Sequence, residues 1–221
     1  MSPAHEQSFV NELNFYQRLS CAVPKIILPF QIIEIEQCAE QPILPQLLVL
    51  PHSQKLFELN PQNLSQPQIQ NVLLSSLCAL EQLHGQGYIH GDLKPAHFRR
   101  YQDHVVMIDF EQMFERGSPT PQLNTATPHY MAPELFHAEQ KSVVSDIYAL
   151  GIIWLEWLNQ QKLQQSSYLE WAKLHCQQLK IEMLPQFKNF ETVLSMMLQK
   201  NKQLRCTNFY QIKQRLNNNV Y

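Results

Sequence analysis

Glycine is scarce in this chain: its 221 residues include only five, and the first of them is Gly85. A loop that wraps a phosphate group needs glycines, because a side chain would keep its backbone N–H groups away from the anion. The sequence therefore excludes a glycine-rich phosphate-binding loop from residues 1 to 84.

Charged residues are also few, and neither sign dominates. The formal net charge is −2, and no basic run of five or more residues occurs, so nucleic acid and anionic membrane surfaces are not predicted as partners. The apolar stretch from Ile147 to Leu158 is far shorter than the ~20 residues that span a bilayer. Residues 1 to 25 contain no continuous apolar segment of the kind found in secretory signals.

Paired cysteines are missing as well. The five cysteines are odd in number and widely spaced, without a CxxC pair: Cys21, Cys38, Cys78, Cys176 and Cys206. Disulfide frameworks and structural zinc sites depend on cysteines paired at characteristic spacings. We expect reduced, mostly buried thiols and hence a cytoplasmic protein.

Hydrophobic periodicity predicts a mixed first half and a mainly helical second half, which is an α+β fold class. Helices are predicted at residues 8–19, from Pro67 to about Gly85, at 145–158, and near 166–180, 189–200 and 207–217, the last capped by Thr207. Strands are predicted at 25–35 and 43–50, and in a hairpin that turns at Gln102-Asp103. The three tryptophans are expected in the core or an interface: Trp154, Trp157 and Trp171.

Two carboxylates in the middle of the chain suggest phosphoryl transfer. The run His90-Gly-Asp92-Leu-Lys94-Pro follows a predicted helix, and Ile108-Asp109-Phe110-Glu111 ends a predicted strand seventeen residues after Asp92. In this chemistry one carboxylate orients the attacking hydroxyl, and the other holds a magnesium ion on the phosphates. Each aspartate alone would more often cap a turn than act in catalysis, so the interpretation depends on the motifs that follow.

Two further motifs appear in order: Thr127-Pro-His-Tyr-Met-Ala-Pro-Glu134 and Ser145-Asp-Ile-Tyr-Ala-Leu-Gly151. With these gaps the four motifs resemble the eukaryotic-type Ser/Thr protein kinases over roughly residues 8 to 217. The resemblance implies a protein-kinase-like fold with a mostly helical C-lobe, residues 51–221. Residues 1–50 are the expected remnant of the N-lobe, with helix C and about two strands, numbered 4 and 5 in the family. ATP and Mg²⁺ are the implied cofactors, and a protein hydroxyl is the implied substrate.

The resemblance also implies roles for individual residues. The implied catalytic residues are Asp92 as base, Lys94 as its phosphate-side partner, and Thr127 as the threonine that bridges them. Asp109 matches the magnesium ligand. The positions that match the nucleotide-binding hinge are Leu50, Pro51 and Ser53. The implied structural residues are Glu12 of helix C, His90 packed on Phe110, Asp146 bracing the catalytic loop, and Glu134 paired with Arg205.

The chain departs from the family pattern at four positions around the site. His97 stands where the family has a metal-binding asparagine, and its imidazole is a softer ligand for Mg²⁺ than an amide oxygen. Arg99 replaces the apolar floor under adenine, although a guanidinium can stack on a ring. Glu111 replaces the glycine after Asp-Phe and offers either a surplus metal ligand or a stiffer loop. Gly91 replaces the arginine of H-R-D, so this position offers no cation for an activation-loop phosphate, and that kind of switching is not expected.

The beginning of the chain departs from the pattern too. The family's three opening strands, glycine loop and strand lysine find no match, so an N-terminal truncation is expected. Ala22-Val23-Pro24-Lys25 imitates the V-A-I-K motif, but it follows Glu12 and lies only 67 residues before Asp92. Lys25 is therefore expected in a solvated strand or loop. An apolar surface is expected near residues 25 to 50, and a partner protein is expected to cover it.

Four functional interpretations stay open. An active Ser/Thr kinase is favoured by Asp92, Lys94, Asp109 and Thr127. A catalytically impaired pseudokinase that acts as a binding or regulatory module explains the departures together. A small-molecule phosphotransferase shares the H-G-D motif, but the Ala-Pro-Glu and SDIYALG motifs argue against it. Finally, the gene could continue upstream with a glycine loop and a V-A-I-K lysine, which would favour the active kinase.

Overall fold

A computed structural model describes residues 3–19, 26–35, 46–118 and 127–218. Its described part is a mixed α+β structure that is mostly helical. The α-helices are α1 Pro3–Leu19, α2 Gln66–Gly85, α3 Val143–Asn159, α4 Tyr168–Lys173, α5 Glu191–Met197 and α6 Phe209–Asn217. The strands are β1 Gln31–Glu34, β2 Gln46–Val49, β3 Gln54–Lys55, β4 Tyr88–Ile89, β5 Phe98–Tyr101, β6 His104–Met107 and β7 Phe114–Glu115.

The described strands form three small antiparallel sheets. Strand β1 pairs with β2, β3–β5–β6 form a second sheet, and β4 pairs with β7. The predicted hairpin is confirmed as β5 and β6, and Gln102 in its turn has a φ of 52°. Met107 donates its backbone N–H to Ile26 O at 2.7 Å. This bond ties the segment before β1 to the end of β6, where Asp109 follows.

Helix α3 lies at the centre of the core, as its unbroken apolar sequence predicts. Trp154 and Trp157 on this helix are buried, and their indole N–H groups donate to Ser76 Oγ at 3.0 Å and to Leu59 O at 2.6 Å. Gly151 is required where α3 passes the end of α5, because a Cβ there would lie 2.8 Å from Leu198 Cδ2. The prediction of a core position for these two tryptophans is therefore confirmed.

Several predicted boundaries are wrong in their details. The helix expected at 166–180 ends at Lys173 and continues as a π-helical turn, Leu174–Gln178. The N-cap of α6 is Asn208 and not Thr207, because the Asn208 side chain accepts the backbone N–H of Gln211 at 3.2 Å. The strands expected at 25–35 and 43–50 are shorter where the structure describes them, and Lys25 lies outside the described residues.

The cysteines and the apolar helices were the subject of two predictions from composition. Cys78, Cys176 and Cys206 are free thiols and half-buried, while Cys21 and Cys38 lie outside the described part of the chain. No helix among the described residues combines the length and apolar character that a membrane crossing requires.

Candidate active site

Asp92 lies in the loop between β4 and β5, and two residues hold its carboxylate from opposite oxygens. Lys94 Nζ lies 2.9 Å from Asp92 Oδ2, and the backbone N–H of Thr127 donates to Asp92 Oδ1 at 2.8 Å. The Asp92 side chain is only 12% exposed, whereas that of Lys94 is 34% exposed. The structure thus brings together the three residues for which catalytic roles were expected. Thr127 makes its contact through the backbone, and a bridge by its hydroxyl stays a prediction.

Asp109 follows strand β6 in a left-handed conformation with a φ of 66°. Its Oδ2 lies 3.0 Å from His97 Nε2, which comes from the 3₁₀ turn Pro95–His97. Burial opposes ionisation of Asp109, but the hydrogen bond and charge of His97, together with the charge of Lys94, hold its pKa below the ordinary value. Lys94, which contacts Asp92, is thus also among the groups whose charge favours the Asp109 anion.

His90 is a fully buried ring behind this site. It stacks on His97 with a centroid distance of 5.3 Å and lies 5.8 Å from the Phe110 ring. Neither ring nitrogen has a hydrogen-bond partner among the described residues. Burial, helped by the charge of His97, lowers the pKa of His90 to about 4. His90 is thus a neutral packing residue at neutral pH, which suits the structural role expected for it.

Asp146, in the first turn of α3, holds the backbone of the loop between β4 and β5. Its carboxylate accepts the N–H of His90 at 2.9 Å and that of Gly91 at 3.0 Å, and it lies 2.8 Å from His84 Nε2. Burial works against its charge, but His84, His90 and the backbone donors keep the pKa of Asp146 below its usual range. A buried carboxylate with several donors persists as an anion, so Asp146 fixes the loop that carries Asp92.

Glu134 and Arg205 form a two-pronged buried ion pair. The Arg205 nitrogens donate to the two Glu134 oxygens at 2.7 and 2.9 Å, and Ser145 Oγ donates to Oε1 at 3.0 Å. Burial disfavours the Glu134 anion, but Arg205 outweighs it and holds the Glu134 pKa below the ordinary value. The guanidinium also lies 4.8 Å above the Tyr148 ring. This pair joins the end of the Thr127–Glu134 motif to the segment that precedes α6.

Glu12 reaches the same region from α1. Its Oε1 accepts the backbone N–H of Phe110 at 3.1 Å, and Asn11 Nδ2 donates to Glu111 O at 2.8 Å and to Met113 O at 3.0 Å. Burial, followed by the charges of Asp109 and Glu111, raises the pKa of Glu12 above its ordinary value. Helix α1 therefore holds the chain directly after Asp109, although it lies about a hundred residues earlier in the sequence.

The positions expected to bind the nucleotide base lie between β2 and β3. Leu50 and Pro51 are half-buried, and Ser53 is 6% exposed. Arg99 Nε donates to Ser53 Oγ at 3.1 Å, and the guanidinium also contacts the Ser53 carbonyl oxygen. Arg99 thus ties β5 to the hinge segment. Contact of Arg99 with a nucleotide base stays a prediction.

Lys141 is a buried lysine beside Gly91 that the sequence did not predict. It is 4% exposed, and a Cβ on Gly91 would lie 3.1 Å from its Cδ. Burial lowers the pKa of Lys141, and the charges of Asp92 and Asp146 oppose that shift. Sequence reasoning missed this lysine because it lies fifty positions after Gly91 and outside every motif.

Comparison with known proteins identifies the family. A family model described as "Protein kinase domain" matches residues 2–219, nearly the whole chain. The chain belongs to the protein kinase family.

Individual relatives match shorter stretches. "Serine/threonine-protein kinase pkn3" of Myxococcus xanthus is 33% identical over 102 residues, which is 41% of this chain and 19% of the relative. "Serine/threonine-protein kinase D" of Synechocystis sp. is 34% identical over 126 residues, 49% of this chain and 24% of the relative. "Inactive serine/threonine-protein kinase PLK5" of Mus musculus is 32% identical over 93 residues, 41% of this chain and 16% of the relative. The matched part thus spans less than a quarter of each relative's length.

Proposed function

We propose that this chain transfers the γ-phosphate of ATP to a Ser or Thr hydroxyl of a protein substrate. The observation that carries this proposal is the position of Asp92, held between the Lys94 ammonium and the backbone N–H of Thr127 at 2.9 and 2.8 Å. A carboxylate fixed beside a lysine can accept the proton of an attacking hydroxyl while the lysine balances charge on the phosphoryl group. Names of relatives that include "serine/threonine-protein kinase" support it.

The residues fit a magnesium ion in part. Asp109 supplies a carboxylate oxygen of the type that Mg²⁺ prefers, whereas His97 supplies an imidazole nitrogen that already contacts Asp109. When bound, Mg²⁺–ATP would supply the phosphoryl group and a metal that neutralises its charge. Asp109 would hold the metal, Asp92 would orient the hydroxyl, and Asp146 would keep the loop between β4 and β5 in place.

We extend the proposal to the layout of the chain. Residues 1–50 would be a reduced N-lobe, with α1 as helix C and β1–β2 as its strands, and residues 51–221 would be the C-lobe. The contact of Glu12 with the Phe110 N–H supports this part of the proposal. On the β1–β2 sheet, Ile33 lies opposite Leu47, and both are exposed, at 46% and 48%. An exposed pair of this kind suits contact with a partner protein.

A second candidate function is a binding module without catalysis. It is favoured by the 3.0 Å contact between His97 Nε2 and Asp109 Oδ2, because this contact engages one of the two oxygens that Asp109 could offer a metal. The likeness to a relative named inactive is in keeping with it. In this version the site would keep its fold and serve as a surface for a partner protein.

Phosphate transfer from labelled ATP tests the proposal directly. Purified chain with Mg²⁺ should label itself or a generic protein acceptor, and Asp92→Asn should abolish the labelling. A thermal shift with Mg²⁺–ATP provides a second measurement, because ligand at one hundred times its Kd stabilises a fold by ~2.7 kcal/mol. Asp109→Asn should remove that shift. Binding of ATP without phosphate transfer favours the binding module. Absence of both binding and transfer contradicts the kinase proposal.

A further inference from the structure

Five aromatic rings form a continuous stack beside the Thr127–Glu134 motif. In order they are Tyr130, His129, Trp171, His175 and Phe136, and we call them the ring stack. Successive centroids lie 4.4, 4.5, 5.7 and 5.8 Å apart, with interplanar angles between 15° and 26°. The stack joins the motif to α4 and to the π-helical turn Leu174–Gln178. None of these contacts belongs to the chemistry proposed above.

His129, the second ring of the stack, is also held by a carboxylate. Its Nε2 lies 2.5 Å from Glu156 Oε1, and the backbone N–H of Leu163 donates to the same oxygen at 2.7 Å. The Glu156 side chain is only 6% exposed, and it stands on the buried helix α3. A ring packed on both faces and bonded at its edge has very little freedom to move.

His175, near the other end of the ring stack, also has a buried hydrogen-bond partner. His175 Nδ1 lies 3.0 Å from the Tyr148 hydroxyl, and Tyr148 lies under Arg205 of the buried ion pair. Burial lowers the pKa of His175 to about 4, so its ring is neutral at neutral pH. π-Helical turns occur often at functional sites, and this one places His175 between Trp171 and Phe136. The stack is therefore anchored to buried residues of the helical core.

The end of the ring stack formed by Tyr130 and His129 is linked to Asp92 through Thr127. Thr127, whose N–H donates to Asp92 Oδ1, lies two residues before His129, and only Pro128 separates them. Tyr130 N also donates to Thr127 O at 3.0 Å, which closes the turn. Proline fixes its own φ near −65°. Because Pro128 is restricted in this way, the position of the His129 backbone largely determines that of Thr127.

We propose that His129 and Trp171 are positioning residues, which hold the Thr127–Tyr130 turn and, through the Thr127 N–H, the Asp92 carboxylate. Neither residue touches the reacting atoms in this proposal. Its consequence for catalysis rests on the proposed kinase function. Its consequence for the order of the turn depends only on the contacts above, so the two parts can fail separately.

Amide hydrogen exchange tests the positioning itself. Trp171→Ala should speed exchange about tenfold or more in peptides covering 127–131 and 88–94, because opening of a segment rises when its packing is lost. His129→Phe keeps a stacking ring but loses the bond to Glu156, and it should give a smaller increase in the same peptides. Leu169→Ala is the matched control, since this α4 residue is 76% exposed. It should leave both peptides unchanged.

Two outcomes would overturn the proposal. One is unchanged exchange at 88–94 in both variants, and the other is an increase spread evenly over the molecule with a matching loss of global stability. Kinetics then separates positioning from general damage: Trp171→Ala should lower kcat or raise the protein-substrate KM about tenfold, with the KM for ATP unchanged. Absence of transfer in the unaltered chain would count against the kinase function alone, since exchange would still decide the positioning.

Discussion

At the scale of single residues, the contact between His97 and Asp109 is the feature most open to experiment. His97→Asn would replace an imidazole with an amide, whose oxygen is a harder ligand for Mg²⁺. We expect Mg²⁺–ATP to bind about tenfold more tightly to this variant, in line with the effect of neighbouring groups on metal affinity. Isothermal titration measures the change, with His97→Ala as the comparison. If both variants bind Mg²⁺–ATP no more tightly than the unaltered chain, His97 does not limit metal binding.

The buried pair of Glu134 and Arg205 leads to a prediction about stability. Arg205→Ala should leave the Glu134 charge buried without its partner, and loss of one member of such a pair costs about 3–5 kcal/mol. Lys188→Ala removes the exposed pair with Glu191 instead, and it should change stability by less than about 1 kcal/mol. Urea unfolding monitored by circular dichroism measures both. A small loss in Arg205→Ala would mean that Glu134 becomes solvated or protonated at low cost.

The residues of the site were predictable only to the extent that they fall in short motifs. Asp92, Lys94 and Asp109 stand in short runs, and the two motifs that follow them along the chain support the roles expected for them. Lys141 and the bond between His129 and Glu156 were not predictable, because they join positions 27 to 50 apart in the sequence. Such contacts depend on how helices pack, and the local sequence does not contain that information.

At the scale of elements, periodicity predicted the long helices well and the short ones less well. The central helix α3 was expected at 145–158 and is found at Val143–Asn159, because its apolar residues cover every face. The region expected as one helix at 166–180 divides into α4 and a π-helical turn. A turn of this type is stabilised by tertiary contacts, here the ring stack, and these leave no periodic trace in the sequence.

The start of α6 gives a prediction at this scale. Asn208 caps the helix through its side chain, whereas Thr207 is exposed and precedes the cap. Asn208→Ala should therefore cost about 1 kcal/mol of unfolding free energy, which is typical of a lost N-cap. Thr207→Ala should stay within about 0.5 kcal/mol of the unaltered chain. Chemical unfolding of the two variants side by side distinguishes them, and the reverse order would restore Thr207 as the cap.

At the scale of the whole molecule, the buried histidines and carboxylates make stability depend on pH. His90 and His175 have pKa values of about 4 in the fold, below the ordinary value of 6.5. The unfolded chain therefore takes up protons first as the pH falls, and unfolding is favoured between about pH 6.5 and pH 4. Asp146, Glu134 and Asp109 have pKa values lowered by folding. Their contribution is present above about pH 4 and is lost as the pH falls further.

The size of this effect can be predicted for one histidine. His90 and His175 should each remove about 2 kcal/mol of stability between pH 7 and pH 5, from the difference between their folded and unfolded pKa values. His175→Gln removes one titrating ring. Between pH 7 and pH 5 the unfolding free energy of this variant should therefore decrease by about 2 kcal/mol less than the unfolding free energy of the unaltered chain. Tyr148→Phe is the matched control, because it breaks the 3.0 Å contact with His175 but keeps the titrating ring buried. It should lower stability at every pH while it keeps the same slope. Equal slopes for the unaltered chain and His175→Gln would show that His175 becomes solvated before the chain unfolds, and the ring stack would then be looser than its contacts imply.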